Sequence, residues 1–137
     1  MSHRLLVAAL LVVAGALPEK SAEAELRKLQ GNWRVAAVEV DGRVTPAEAE
    51  YTLAVSGDKI TQTVLGRKLT GTVRIDPQAK PKTIDLVWGP DDTTLGVYEL
   101  DGDVLKVCEA RPGGKRPTAV SEKAGGGLVT AYKRAKP

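Results

Sequence analysis

The 137-residue chain has no phenylalanine, one cysteine and one histidine. Each scarcity closes a route. A single cysteine, Cys108, cannot form an internal disulfide. The fold must therefore stand on its apolar core, which a domain of ~115 residues can build. The lone histidine is His3, in the N-terminal lead. A domain that begins after it has no imidazole for a Ser-His-Asp or Cys-His device and lacks the commonest zinc ligand. Without Phe, the core must come from Val, Leu, Ile and Ala, with Trp33, Trp88 and three tyrosines as its large pieces. Charge of one sign is also scarce. Twenty basic residues face 17 acidic ones, a net +3, and the two signs are interspersed. That balance favours weak contact with anionic surfaces and leaves no nucleic-acid footprint.

Long apolar runs are missing too, with one short exception. Leu5 to Leu17 is uniformly apolar or small and follows His3 and Arg4. It falls short of the ~20 residues a membrane-spanning helix needs. A basic lead, a short apolar stretch and small residues after it describe a secretory signal peptide. Ala14-Gly15-Ala16 and Ala22-Glu23-Ala24 both suit a signal peptidase, so cleavage near residue 16 or near residue 24 stays open. The expectation is a signal peptide over 1–24 and a single domain over 25–137, exported to the periplasm or beyond, with no membrane span. Neither site has a cysteine nearby for a lipid anchor.

Ala24 to Gln30 reads as a brief helical turn, with Leu26 and Leu29 on one face. The period then changes to two. In Lys68 to Ile75, Leu69, Val73 and Ile75 alternate with Lys68, Thr70, Thr72 and Arg74, the pattern of a half-buried antiparallel strand. Eight such segments are expected: Asn32–Asp41, Tyr51–Ser56, Lys59–Leu65, Lys68–Ile75, Lys82–Trp88, Leu95–Leu100, Asp103–Glu109 and Leu128–Arg134. Turn formers separate them, among them Ser56-Gly57-Asp58, Gly66-Arg67, Asp76-Pro77 and Asp101-Gly102. An even number of up-and-down strands can close and abolish both edges. The fold class is all-β: an eight-stranded antiparallel up-and-down barrel behind a short helical turn, with a two-sheet β-sandwich as the alternative. At Asp101-Gly102 a bulged turn is expected, placing Leu95 and Val97 on one face with Leu105 and Val107.

Leu29-Gln30-Gly31-Asn32-Trp33, a helical turn running into Gly-x-Trp, resembles the opening motif of the lipocalins. That resemblance implies that Trp33, behind Gly31, closes one end of the barrel and that a basic residue of the last strand packs across it. Arg134 has the right parity, for a cation–π contact of about 1 kcal/mol. A second resemblance covers nearly all of the expected domain. It is to a family of small exported conserved hypothetical proteins of planctomycete bacteria, and it rests on four blocks: Leu29 to Trp33, Lys80 to Leu86, Gly96 to Cys108 and Arg116-Pro117-Thr118. It implies a lipocalin-like fold and an exported address, and brings no catalytic residue and no ligand. Ala119-Val120 departs from the family's acidic residue and Phe.

The remaining chemistry is thin. Cys108 reads as a small buried residue. Asp91-Asp92 and the pair Asp101 and Asp103 sit in turns and form no calcium loop. Asp85 and Glu99 read as solvated strand charges rather than a glycosidase pair. Arg111 to Pro117 is a basic, Pro/Gly-rich connection, and Gly125-Gly126-Gly127 a flexible turn. No catalytic residues, metal site or cofactor are assigned, and a monomeric, non-enzymatic protein is expected. Its function would be to bind a small apolar molecule in the barrel lumen, lined by Tyr51, Leu53, Leu69, Val73, Ile84, Leu86, Trp88, Val97 and Leu105. The alternative is a cell-envelope interaction module with a filled barrel, whose partner is an envelope protein.

Overall fold

The computed structural model describes residues 21–40, 43–46, 50–121 and 127–136. The expected leader up to residue 20 and the Gly125-Gly126 part of the expected turn lie outside the described residues. A helix over residues 21–28, α1, contains Ala24 and precedes nine strands among the described residues. They are β1 (Gly31–Val40), β2 (Arg43–Pro46), β3 (Tyr51–Ser56), β4 (Lys59–Val64), β5 (Arg67–Asp76), β6 (Lys82–Gly89), β7 (Asp92–Asp101), β8 (Val104–Glu109) and β9 (Leu128–Arg134). Eight of them fall on the eight expected segments.

All neighbours pair antiparallel in the order β2-β1-β3-β4-β5-β6-β7-β8-β9, and β1 also pairs with β9. Eight strands therefore close into a barrel, with β2 as an extra strand on its wall. The closure runs from Trp33 opposite Arg134 to Glu39 opposite Val129, with a bulge between Val35 and Ala37. That bulge lets one long strand turn. The first residues of β1 pair with β3, from Gly31–Val55 to Arg34–Thr52. The later ones, Ala37 to Val40, pair with β2 instead. A four-residue strand that ends on Pro46 carries no alternation long enough to be seen in the sequence.

Cross-strand partners share a face, so the ladders assign the lumen directly. Trp33 and Leu53 pair, as do Val55 and Ile60, Val73 and Leu86, Ile75 and Ile84, and Leu100 and Leu105. These side chains form one buried cluster with Leu29, Val35, Tyr98, Val107 and Tyr132, with Ile75 and Leu100 packed against it. Trp33, Tyr98, Tyr132, Ile60 and Leu105 are essentially inaccessible. The barrel's interior is packed along most of its length.

Three expectations need correction. The β7–β8 turn is not bulged at Asp101-Gly102. Asp101 pairs with Val104, leaving Gly102-Asp103 as a two-residue loop with Gly102 at φ 59°. A first loop residue with positive φ is the type II′ signature. Val97 therefore lies opposite Cys108 on the outer face, not in the lumen. It is buried there, with Cys108 and Val129 and against Val120. Leu69, expected in the lumen, is 49% exposed. It keeps inward parity opposite Gln62, but the β5–β6 ladder starts only at Thr72–Val87, so no wall stands beside it.

The cover over Val97 also changes the reading of the connection after β8. Arg111 to Lys115 are exposed, as expected of a solvated loop, but Pro117 is buried. Arg116 anchors the segment: its Nη1 donates to the Gly96 carbonyl at 2.9 Å and ion-pairs with Asp85 at 2.8 Å. Asp85 faces outward but is half-buried beneath this strap rather than solvated.

Candidate functional site

One end of the barrel is sealed. α1 lies across it, and Trp33 donates from its indole to the Leu29 carbonyl at 2.9 Å. The Arg134 guanidinium sits 4.2 Å from the Trp33 ring centre. Its two Nη groups donate to the Gln30 carbonyl at 2.7 Å and the Lys28 carbonyl at 2.8 Å, and its Nε to Asp103 at 3.0 Å. The planar fork thus satisfies carbonyls at the C-terminal end of the helix while covering the indole. Gly31 stands between them at φ 113°, a region essentially restricted to glycine. Gln30 staples the turn to the β3–β4 connection by bonds to and from Gly57.

Glu25 completes the seal. It is buried beside Tyr98, whose hydroxyl donates to it at 3.0 Å, and Lys82, at 2.5 Å. Burial pushes this carboxyl upward, but the bonds from Lys82 and Tyr98 outweigh it and hold the group below its ordinary value. The same burial, with Glu25 nearby, drives the Tyr98 hydroxyl far above its usual range. No sequence expectation singled out Glu25. Its spacing of four from the inward Leu29 is the signal that places it on the helix's buried face.

The opposite end is built differently. Three inward positions that would carry aliphatic side chains in a filled barrel are polar: Gln62 on β4, Thr94 on β7 and Glu109 on β8. Tyr51, Gln62, Trp88, Thr94 and Glu109 are all half-buried, above a buried Thr130 and Tyr132. The Tyr51 and Tyr132 rings lie 5.9 Å apart and their hydroxyls share a hydrogen bond. Gln62 donates to the Tyr51 hydroxyl. Burial raises both phenols, so each stays protonated at neutral pH. Trp88 donates to Thr94 at 3.2 Å.

Among the described residues the wall is also incomplete at this end. Among the described residues the β1–β3 ladder stops at Arg34–Thr52, just short of Tyr51. The β4–β5 hairpin runs past the last β5–β6 pair to its tip at Leu65-Gly66, where both residues have positive φ. The Trp88 ring leans into the gap so closely that a Cβ on Gly71 would meet it at 2.8 Å. Alongside runs a cleft of ≈ 630 Å³ between Asp91–Leu95, Glu109–Gly114 and Leu128.

Glu109 is the unusual group. It continues the inward series Leu105, Val107, and its partner across β7 is Gly96, which offers no side chain. Burial raises its carboxyl above the ordinary value, and among the described residues none supplies it with an ion pair or hydrogen bond.

Of the residues expected to line a ligand lumen, Leu53, Val73, Ile84, Leu86 and Leu105 lie in the packed core. Tyr51 and Trp88 stand at the unsealed end, Leu69 on its rim and Val97 outside the barrel. Gln62, Thr94, Glu109 and Tyr132 went unnoticed as lining residues. Strand alternation alone puts Glu109 and Gln62 on the inner face, and that was the available signal. Among the described residues no three His, Cys, Asp or Glu groups could hold a metal ion, and no helix is long and apolar enough to cross a membrane. Family models, curated proteins and solved structures give no match to the chain.

Proposed function

We propose that this is an exported, non-catalytic binding protein that takes a small, partly apolar molecule at the unsealed end of its barrel, in the manner of a lipocalin. One observation carries the reading. Among the described residues the exposed large apolar side chains are Val40, Val44, Leu65, Leu69 and Leu128. All lie toward the end away from the Trp33 seal, with Val40, Leu65, Leu69 and Leu128 about the opening and Val44, opposite Glu39, on the outer wall. Scattered exposed apolar residues need no explanation, but a set gathered around one opening does. The rim can accept the apolar part of a ligand, and the Tyr51, Gln62, Thr94 and Glu109 groups beneath it can fix a polar part. Ligand sites typically combine such an apolar surround with a few polar groups. The packed lower lumen restricts the ligand to the upper part of the barrel and the adjoining cleft.

The leader-like residues 1–24, and the resemblance to small exported planctomycete proteins, support export as the address. Native mass spectrometry of protein purified from its own host tests the reading. A co-purifying small molecule, displaced when Leu69 or Trp88 is replaced by Asp, is the expected result. An apo mass that persists across host growth conditions, with no retained small molecule, argues against it.

A further inference from the structure

We propose that the unsealed end selects organic cations, with Glu109 as the counter-ion for a protonated amine and Tyr51 and Trp88 as the aromatic surfaces beside it. The inference rests on the reading of this end as a binding site, and goes further by naming the ligand class.

Glu109 supplies the geometric reason. Its strand places it inward, at the level where the barrel opens, and the glycine across from it offers no side chain to pair with the carboxylate. The four ion pairs among the described residues involve Glu25, Asp85 and Asp103, not Glu109. Half-buried carboxylates without a partner are costly, and a bound cation removes that cost. Its surroundings narrow the choice further. The ionisable lining of the adjoining cleft is Asp91, Asp92 and Glu109 against Arg111 alone, so an anionic ligand meets net repulsion. A hard metal ion needs about six oxygen ligands, and among the described residues no three His, Cys, Asp or Glu side chains converge to hold one. An ammonium group instead matches one carboxylate, hydroxyl acceptors and aromatic faces at once.

The test uses three probes of one shape: 2-phenylethylamine, 2-phenylethanol and phenylacetate, titrated at neutral pH into the folded domain and into Glu109→Gln. Amide shifts read by NMR report both affinity and location. The expected result is shifts at the unsealed end, with the amine bound roughly ten- to a hundredfold more tightly than the alcohol. That preference should vanish in Glu109→Gln while alcohol binding persists. Equal affinity for amine and alcohol, or a preference for phenylacetate, overturns the cation assignment and leaves the binding reading standing. No shift at that end from any probe at millimolar concentration overturns both. If Glu109→Gln fails to fold, Glu109→Asp serves instead. It keeps the charge and should retain a weakened amine preference, and an unchanged one counts against Glu109.

Discussion

Replacing Arg134 by Ala should cost about 3 kcal/mol. The guanidinium makes two bonds to backbone carbonyls at 2.7 and 2.8 Å and covers the Trp33 ring at 4.2 Å. It is about one-third exposed, so each carbonyl bond is worth ~1 kcal/mol rather than the larger value of a fully buried charged bond. The cation–π contact adds about 1 kcal/mol. The bond to Asp103, whose side chain is 81% exposed, adds little. For a domain of this size the sum corresponds to a Tm lowered by about 10 °C. Arg134→Lys keeps the charge but cannot reach both carbonyls and should recover less than half. Urea denaturation followed by tryptophan fluorescence measures the loss, and a cycle with Trp33→Phe isolates the ring contact. A loss under about 1 kcal/mol for Arg134→Ala would refute the idea that this fork holds the helical seal to the barrel.

Other perturbations separate the two ends. Glu25 has its carboxyl held below the ordinary value near 4.5, so its stabilising effect is present above that value and lost as pH falls below it. Acid titrations of stability should therefore fall more steeply below about pH 5 in the native chain than in Glu25→Gln, and parallel curves would exclude Glu25 as a contributor. Leu86→Ala should cost about 2–5 kcal/mol and Leu69→Ala under about 0.5 kcal/mol. Equal costs by chemical denaturation would contradict the rim position of Leu69. At Gly71 an added Cβ would lie 2.4 Å from the Val87 carbonyl and 2.8 Å from Trp88. Gly71→Ala should thus cost about 1–3 kcal/mol and shift the emission of Trp88, and an unperturbed spectrum would show that the two strands do not approach so closely.

Eight of the nine strands among the described residues were legible because most have one wet face. Alternation in Lys68 to Ile75 or Tyr51 to Ser56 needs only a core on one side. It fails as a guide at β7 and β8. There both faces carry buried residues: the barrel covers the inner one, and the strap that carries Arg116 and Val120 covers Val97 and Cys108 on the outer. With apolar residues on both parities, Val97 and Tyr98 could not be told apart by pattern, and the turn at Gly102 was displaced by one residue. The Trp33–Arg134 contact could be anticipated because it joins the first and last strands, whose pairing follows from closure. The polar positions at the unsealed end were harder. Glu109 shares the parity of Leu105 and Val107, but a carboxylate at a strand's end does not look like a lining residue until the barrel around it is seen, and Glu25 lies in a stretch that reads as a mere turn.

The most direct test is an amide chemical-shift map of the folded domain with whatever molecule its host supplies, or with the best binder of the phenylethyl series. Perturbations centred on Tyr51, Gln62, Trp88, Thr94 and Glu109, with Trp33 and the residues around Glu25 silent, are the expected result. Shifts confined to the outer strap around Val97 and Val120, or spread over the sealed end, would contradict a binding site in the open mouth.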